Sequence, residues 1–92
     1  MKNVYLFQVN YQMGHGQYTS LWLPYSVASI WAFVEQFDEI KNNFHVKDCI
    51  FKREEFKDVI DRMEDPDVCL FSHYLWNDNY NLELAKLIKE RW

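Results

Sequence analysis

The chain is poor in cysteine and glycine, with two of each among 92 residues, and it has no long hydrophobic run. Cys49 and Cys69 each lie in an apolar, strand-like segment, which indicates small core residues in a reducing compartment and not a disulfide framework. Two cysteines alone also cannot build an iron–sulfur or zinc site. No segment reaches the length of a membrane span, and the first residues lack a signal-peptide pattern. These absences predict a cytoplasmic protein that does not contact a membrane.

Basic charge is also scarce. Ten Lys and Arg residues stand against 14 Asp and Glu, which gives a net charge of -4 and a pI near 5.2. A general nucleic-acid binder needs clustered basic side chains to neutralise phosphates, and here those between Lys41 and Lys57 alternate with acidic ones. The composition therefore excludes nucleic acid as a partner, and the length predicts one domain over residues 1–92.

Three segments have the apolar pattern of β-strands. Val4 to Val9 is a continuous apolar run, which is typical of a strand buried on both faces. Val46 to Phe51 is interrupted by Lys47 and Asp48, which indicates a strand nearer an edge. Val68 to Tyr74 is the third.

A helical pattern follows each strand. Pro24 is well placed as the first residue of a helix that packs on the sheet and ends near Asp38 to Asn43. A short helix then stops before Asp65-Pro66-Asp67, because the residue before proline is pushed out of the helical region. The last helix starts at about Asn79, with Asn77 to Asn79 available as caps. The apolar positions of the three helices are, in order, Val27, Ile30, Trp31, Val34 and Phe37; Phe56, Val59, Ile60 and Met63; and Tyr80, Leu84, Leu87 and Ile88.

The resulting order is β-α-β-α-β-α, which predicts an α/β fold with a three-layer, Rossmann-like parallel sheet and right-handed crossovers. Three strands are few for such a sheet. We therefore expect a half-domain whose further strands come from a continuation, a partner chain or a second copy.

In a parallel sheet, ligands bind beyond the carboxyl ends of the strands, which here means the loops Asn10 to Leu23, Lys52 to Glu54 and Ser72 to Asn79. Gly14-His15-Gly16 matches a dinucleotide fingerprint only weakly, because Thr19 stands where the third glycine belongs, so a plain loop and a phosphate cradle both stay open. A receiver-type signalling domain is excluded, since the first strand ends in Gln8, Val9 and Asn10 where acidic residues would be needed.

Histidines and serines give no convincing reactive centre. His15 and His73 could meet above the sheet, but without a nearby carboxylate or cysteine they do not predict a metal site made of protein ligands alone. For His73, a hydrogen-bonded histidine at the sheet edge is favoured over a ligand contact. Ser72 and His73 cannot form a dyad, because adjacent strand residues point to opposite faces. Catalysis by this chain alone is not predicted.

Aromatic residues make up 18% of the chain, and many flank the predicted crevice. They could line a pocket for a large planar cofactor, or they could simply fill a small core and cover an interface. Both interpretations stay open on the residues alone, which are Tyr11, Tyr18, Trp22, Tyr25, Tyr74, Trp76 and Tyr80.

Taken together, the chain resembles the N-terminal cobalamin-binding domain of cobalamin-dependent radical S-adenosylmethionine enzymes. The resemblance lies in the opening strand Val4 to Tyr11, the proline-tyrosine-serine helix start Leu23 to Ala32, and the third strand and loop from Asp65 to Asn77. The helix from Asn79 to Lys89 also matches, so the similarity covers nearly the whole chain.

The family's domain normally continues into a glycine-rich strand and turn that is absent here. The three-cysteine iron–sulfur motif is absent too, so the iron–sulfur cluster and S-adenosylmethionine would belong to a missing catalytic domain. The Asp-x-His-x-x-Gly signature, by which other cobalamin proteins supply a histidine beneath cobalt, is not matched around His15, where Met13 and Tyr18 replace its aspartate and glycine.

The resemblance implies that cobalamin lies over the strand ends, against the first and third loops, with its upper face left for methyl transfer. Its partners would be cobalamin, the remaining half of the domain, a catalytic barrel domain or a second copy. The alternative is a small interaction or oligomerising module that has lost the cofactor and associates through an unpaired sheet edge. The expected cofactor-binding positions are Asn10, Tyr11, Tyr25, Ser26, Ser72, Tyr74, Trp76 and Asn77.

Overall fold

The computed structural model describes residues 1–9, 25–73 and 77–92, and of Tyr25 the backbone only. Strands and helices alternate along the chain, with one additional short helix before the second strand. The elements are β1 (Lys2–Phe7), α1 (Tyr25–Val34), α2 (Asp38–Asn43), β2 (Phe44–Ile50), α3 (Phe56–Arg62), β3 (Pro66–Phe71) and α4 (Asp78–Arg91).

The three strands form one sheet in the order β2-β1-β3. Both neighbours of β1 run parallel to it, which confirms the predicted α/β fold with a parallel sheet. The central strand β1 is the most apolar, and Val4, Tyr5, Leu6 and Phe7 are all buried. As predicted from its two charged residues, β2 lies at an edge.

Each face of the sheet is covered by a separate apolar cluster, because successive side chains of a strand point to opposite faces. On one face, Tyr5 and Phe7 pack with Val59 of α3 and Leu84 of α4. On the other face, Val4, Leu6 and Val27 of α1 form the second cluster. The sheet therefore lies between α1 on one side and α3 and α4 on the other, which gives the expected three layers.

The two cysteines lie on opposite sides of this sheet. Cys49 packs against the cluster under α1, and Cys69 packs against the cluster under α3 and α4. Both are half-buried free thiols. Burial raises the pKa of Cys49, with a smaller contribution from Asp48, and it raises the pKa of Cys69 to about 11. The sheet itself thus separates the two thiols.

The single helix predicted to run from Pro24 to about Asn43 is wrong in its second half. α1 ends at Val34, a turn follows, and α2 starts after Phe37, whose extended backbone (φ -84°, ψ 129°) breaks the helix. Ile30 and Phe37 were expected to pack on the sheet, yet they are 59% and 56% exposed. The sheet-facing stripe of α1 is narrow: Val27 is buried, and Trp31 and Val34 are half-buried.

Strand ends also differ slightly from the prediction. β1 begins at Lys2 and ends at Phe7, although Val9 beyond it is still only 1% exposed. β3 begins at Pro66, a position where proline costs no ladder hydrogen bond. Tyr74, the expected last residue of β3, lies outside the described residues. No helix among the described segments combines the length and the apolarity needed to cross a bilayer.

Candidate functional site at the carboxyl ends of β1 and β3

β1 lies at the centre of the sheet, and the chain places its next two strands on opposite sides of it. From β1 it passes through α1 to β2 on one side, and from β2 it passes through α3, on the opposite face, to β3 on the other side. In open parallel sheets of this 2-1-3 order, the two loops that diverge at such a switch point leave a crevice that binds ligands. Here that switch point lies at the carboxyl ends of β1 and β3.

The predicted site residues divide into two groups. Ser26, Ser72 and Asn77 are described in full, and Tyr25 is the first residue of α1. The remaining four lie outside the described residues: Asn10, Tyr11, Tyr74 and Trp76. Of the described set, Ser72 and Asn77 are in direct contact, whereas Ser26 lies at the start of α1, on the β1 side of the crevice.

Asn77 joins the ends of the two strands that border the crevice. Its side chain is fully buried, and its Nδ2 donates hydrogen bonds to the backbone oxygens of Val9 (3.2 Å) and Ser72 (2.9 Å). Asn77 is the N-cap residue of α4, as expected, but its side chain makes no capping hydrogen bond. The amide serves the two strand ends instead of the helix, so the carboxyl ends of β1 and β3 are held in fixed relative position.

Asn81, one helical turn later, extends this network. It is 2% exposed, and its Nδ2 donates to Ser72 O at 3.1 Å and lies 3.3 Å from Nδ1 of His73. Its Oδ1 is shielded from solvent and accepts no hydrogen bond. A buried acceptor without a donor costs roughly 1–3 kcal/mol, so Asn81 retains an unused capacity for one donor.

His73 follows Ser72 at the end of β3 and contacts α4 through both ring nitrogens. Nε2 is hydrogen-bonded to Oδ1 of Asp78, and Nδ1 faces the amide nitrogen of Asn81. Because the Asn81 amide is a donor, these partners assign the proton of a neutral imidazole to Nε2. His73 is therefore hydrogen-bonded at the sheet edge, as the sequence led us to expect.

A second contact ties β1 to α1. Oε1 of Gln8 accepts a hydrogen bond from the backbone N–H of Val27 at 3.2 Å, while the backbone N–H of Gln8 donates to Ile50 O at 2.9 Å. The first of these bonds satisfies one of the N–H groups that the first turn of any helix leaves without an intrahelical partner. The start of α1, with Ser26, is thereby fixed beside the end of β1.

The loop after β2 is held by an ion-pair cluster. Arg62 makes two hydrogen bonds to the carboxylate of Glu54, at 2.7 and 2.5 Å, and a third to Asp48 at 3.2 Å. The bond from Arg62 is the largest cause of the lowered pKa of Glu54, and the same pairing raises the pKa of Arg62. This loop is the second of the three predicted to border the ligand site.

Tyr80 connects that loop to α4. Its hydroxyl donates to the backbone oxygen of Glu54 at 2.6 Å, and the guanidinium of Arg53 lies 5.1 Å from the centre of its ring. Burial, and secondly the charge of Glu54, raise the pKa of Tyr80. The first turn of α4 therefore contacts the ends of all three strands or the loops that follow them.

Sequence reasoning missed Asn81 and the pairing of His73 with Asp78. A signal for Asn81 was present: Asn77, Asn81, Leu84 and Ile88 recur at spacings of four, three and four, which places two amides in the buried stripe of α4. A polar residue within an apolar stripe has to find hydrogen-bond partners inside the protein. Over residues 1–9, 25–73 and 77–92, no three His, Cys, Asp or Glu side chains are grouped so that they could hold a metal ion.

Fold and site together define an open, parallel α/β half-sheet whose switch point lies at the carboxyl ends of β1 and β3. No family model matches the chain. It is similar to the cobalamin-dependent radical SAM methyltransferase TokK of Streptomyces tokunonensis, with 28% identity over 82 residues. These residues are 89% of this chain but 12% of that relative, so the chain spans about an eighth of the relative's length.

Proposed function

We propose that this chain is a cobalamin-binding segment that holds the cofactor at the carboxyl ends of β1 and β3 and is not catalytic by itself. The observation that carries the proposal is the switch point of the sheet, where Asn77 joins Val9 at the end of β1 to Ser72 at the end of β3. The similarity to a cobalamin-dependent enzyme supports cobalamin as the ligand.

The chemistry of the described groups at this edge fits such a ligand. The side chains of Gln8, Ser26, Ser72, Asn77 and Asn81 are neutral, and His73 is paired with Asp78. A corrin carries neutral carboxamide groups around its rim, which match amides and hydroxyls better than they match a cluster of charges. The unused acceptor of Asn81 would be satisfied by an amide N–H donor.

The individual roles follow from position. Ser26 and Ser72 would contact the cofactor from the α1 side and the β3 side. Asn77 would hold the ends of β1 and β3 together beneath it. Asn10, Tyr11, Tyr25, Tyr74 and Trp76 are proposed to line the cofactor, the aromatic side chains against its flat face. Bound cobalamin would supply the cobalt centre that a methyltransferase needs to carry a methyl group.

Reaction chemistry would then depend on other parts of the protein. Because the similarity covers 12% of the relative, we assign the iron–sulfur cluster, S-adenosylmethionine and any methyl transfer to a catalytic domain outside these residues. The proposed partners are that domain, the remaining strands of the sheet, and cobalamin itself. We also propose a cytoplasmic location.

The test is anaerobic equilibrium dialysis of the purified chain against hydroxocobalamin and methylcobalamin. Saturable binding near one per chain, weakened at least about tenfold by Trp76→Ala and by Tyr25→Ala, would support the proposal. Trp92→Ala is the matched control, because Trp92 terminates α4 far along the chain from its first turn and is 42% exposed.

Circular dichroism of each variant separates loss of the site from loss of the fold. A folded chain that binds neither cobalamin up to several hundred micromolar would contradict binding by these residues alone. Equal weakening by Trp92→Ala would contradict the proposed location.

A further inference from the structure

The outer surface of α1 is unlike that of an ordinary surface helix. Its ten residues include no charged side chain, and Ile30 and Phe33 are 59% and 61% exposed. Phe37, just beyond the helix, is 56% exposed, and its ring meets that of Phe33 edge to face at 5.8 Å. A helix that is apolar all round is normally covered on its outer side as well.

We propose that this surface, consisting of Ile30, Phe33, Phe37 and the exposed small residues Ala28, Ser29 and Ala32, is a self-association surface that binds a second copy of the chain. Ile30 and Phe33 are three residues apart on α1, and the ring of Phe37, beyond the end of the helix, extends this apolar surface through its contact with Phe33. The small residues beside them allow a second helix to approach closely. The inference is independent of cobalamin binding.

The charge distribution favours a second copy. In a two-fold contact, a charge close to the symmetry axis would face its own copy, and α1 carries no charge that could cause such repulsion. The nearest acidic residues, Glu35 and Asp38, lie beyond its C-terminal end. With the two helices antiparallel, they would approach the partner's α1 N-terminus, whose first turn has no acidic residue and whose dipole is positive.

The area of the proposed interface indicates how tightly two copies of the chain would bind. A Phe side chain buries about 150–250 Å² when fully covered, so Phe33 and Phe37 at their present exposure each offer roughly 100 Å². With Ile30, the small residues and the neighbouring Met1, which is 75% exposed and lines the same cavity as Ala28 and Ala32, two copies would bury about 1,000 Å², the lower limit for a specific interface. We therefore expect a reversible dimer with a dissociation constant in the micromolar range.

The contact would leave the crevice open. α1 covers the sheet face opposite α3 and α4, and its outer side points away from the sheet, whereas the crevice lies at the carboxyl ends of the strands. Two copies joined through α1 would therefore each leave the carboxyl ends of the strands uncovered.

Sedimentation velocity of the cofactor-free chain, from about 5 to 500 µM, tests the proposal. We expect a concentration-dependent shift from monomer to dimer, and Phe33→Glu should weaken it at least about tenfold, because a carboxylate would be buried without a partner. Ile30→Lys is the second variant. Leu82→Glu on α4, also 61% exposed, is the matched control and should leave the dimer intact.

Three outcomes would overturn the proposal. The wild-type chain could stay monomeric throughout the concentration range, it could dimerise unaffected by either α1 variant, or Leu82→Glu could weaken it as much as Phe33→Glu does. Circular dichroism shows whether each variant is folded, and replacing exposed residues leaves the core unchanged.

Discussion

The side-chain amide of Asn77 donates a hydrogen bond to the backbone oxygen of Val9 across a sequence separation of 68 residues. The same nitrogen donates to Ser72. One fully buried side chain thus fixes two strand ends that are separated along the chain by two crossovers. The geometry of the proposed site depends on this residue whether or not a ligand is bound.

We expect Asn77→Ala to lower the free energy of unfolding by about 1–3 kcal/mol, since it leaves the buried Val9 O without this donor, while Ser72 O keeps the bond from Asn81. Urea denaturation followed by circular dichroism measures the change. Asn79→Ala, at an exposed position of the same helical turn, is the control and should stay within about 0.5 kcal/mol of wild type. Similar losses in both variants would show that helix propensity, and not the amide bridge, determines the effect.

Asn81→Leu should cost much less, within about 1 kcal/mol. The substitution removes the unpaired Oδ1, Ser72 O keeps the bond from Asn77, and His73 is exposed enough for its Nδ1 to be hydrated. The same urea experiment compares it with Asn77→Leu. If Asn81→Leu were the more damaging of the two, Asn81 would be the central residue of the network.

Acid should weaken the contribution of the Glu54–Arg62 pair. Arg62 lowers the pKa of Glu54 below its ordinary 4.5, so the contribution is present above pH 4.5 and is lost as the pH falls through the lowered value. Because the pair is partly exposed, we expect only about 0.5–1 kcal/mol near pH 7. Glu54→Gln should therefore be less stable than wild type at pH 7 and equal to it near pH 2. Glu55→Gln, at the exposed neighbouring position, should show no such convergence.

Cys69 should react slowly in the folded chain. Its pKa of about 11, against 9.0 for an ordinary thiol, reduces the thiolate fraction at pH 8 roughly a hundredfold, and half-burial further limits access. Iodoacetamide labelling of Cys49→Ser and Cys69→Ser variants, read by mass spectrometry with and without urea, isolates each thiol. Equal labelling rates of Cys69 in the native and unfolded chains would contradict the expectation.

Much of the fold could be predicted from local sequence patterns. The predictions that failed concerned contacts between elements that are distant in the sequence. The buried run at β1 and the charged interruptions of β2 predicted a central strand and an edge strand correctly. Periodicity alone could not show that Ile30 and Phe37 are exposed, since an apolar residue facing a second surface has the same spacing as one facing the core. Asn77 was predicted as a helix cap and a site residue, but its bond to Val9 required knowing that β3 lies beside β1.

The resemblance to a cobalamin-binding domain was also partly readable from sequence. The chain is 28% identical over 82 residues to a cobalamin-dependent radical SAM methyltransferase, and the strand order β2-β1-β3 places a switch point beside β1. All eight proposed cofactor contacts remain predictions, and four of them, Asn10, Tyr11, Tyr74 and Trp76, also lie outside the described residues. Dialysis with substituted chains tests them directly.

The packing of α4 on the same face as α3 has a consequence for how this sheet can grow. A right-handed crossover through α3 carries the chain from β2 past β1 to β3, and one through α4 on that face would carry it further the same way. Any parallel strand added through α4 would therefore extend the sheet beyond β3 and away from β2. In such a sheet β3 would be an internal strand instead of an edge strand. The proposed site at the carboxyl ends of β1 and β3 would then lie near the middle of a wider sheet.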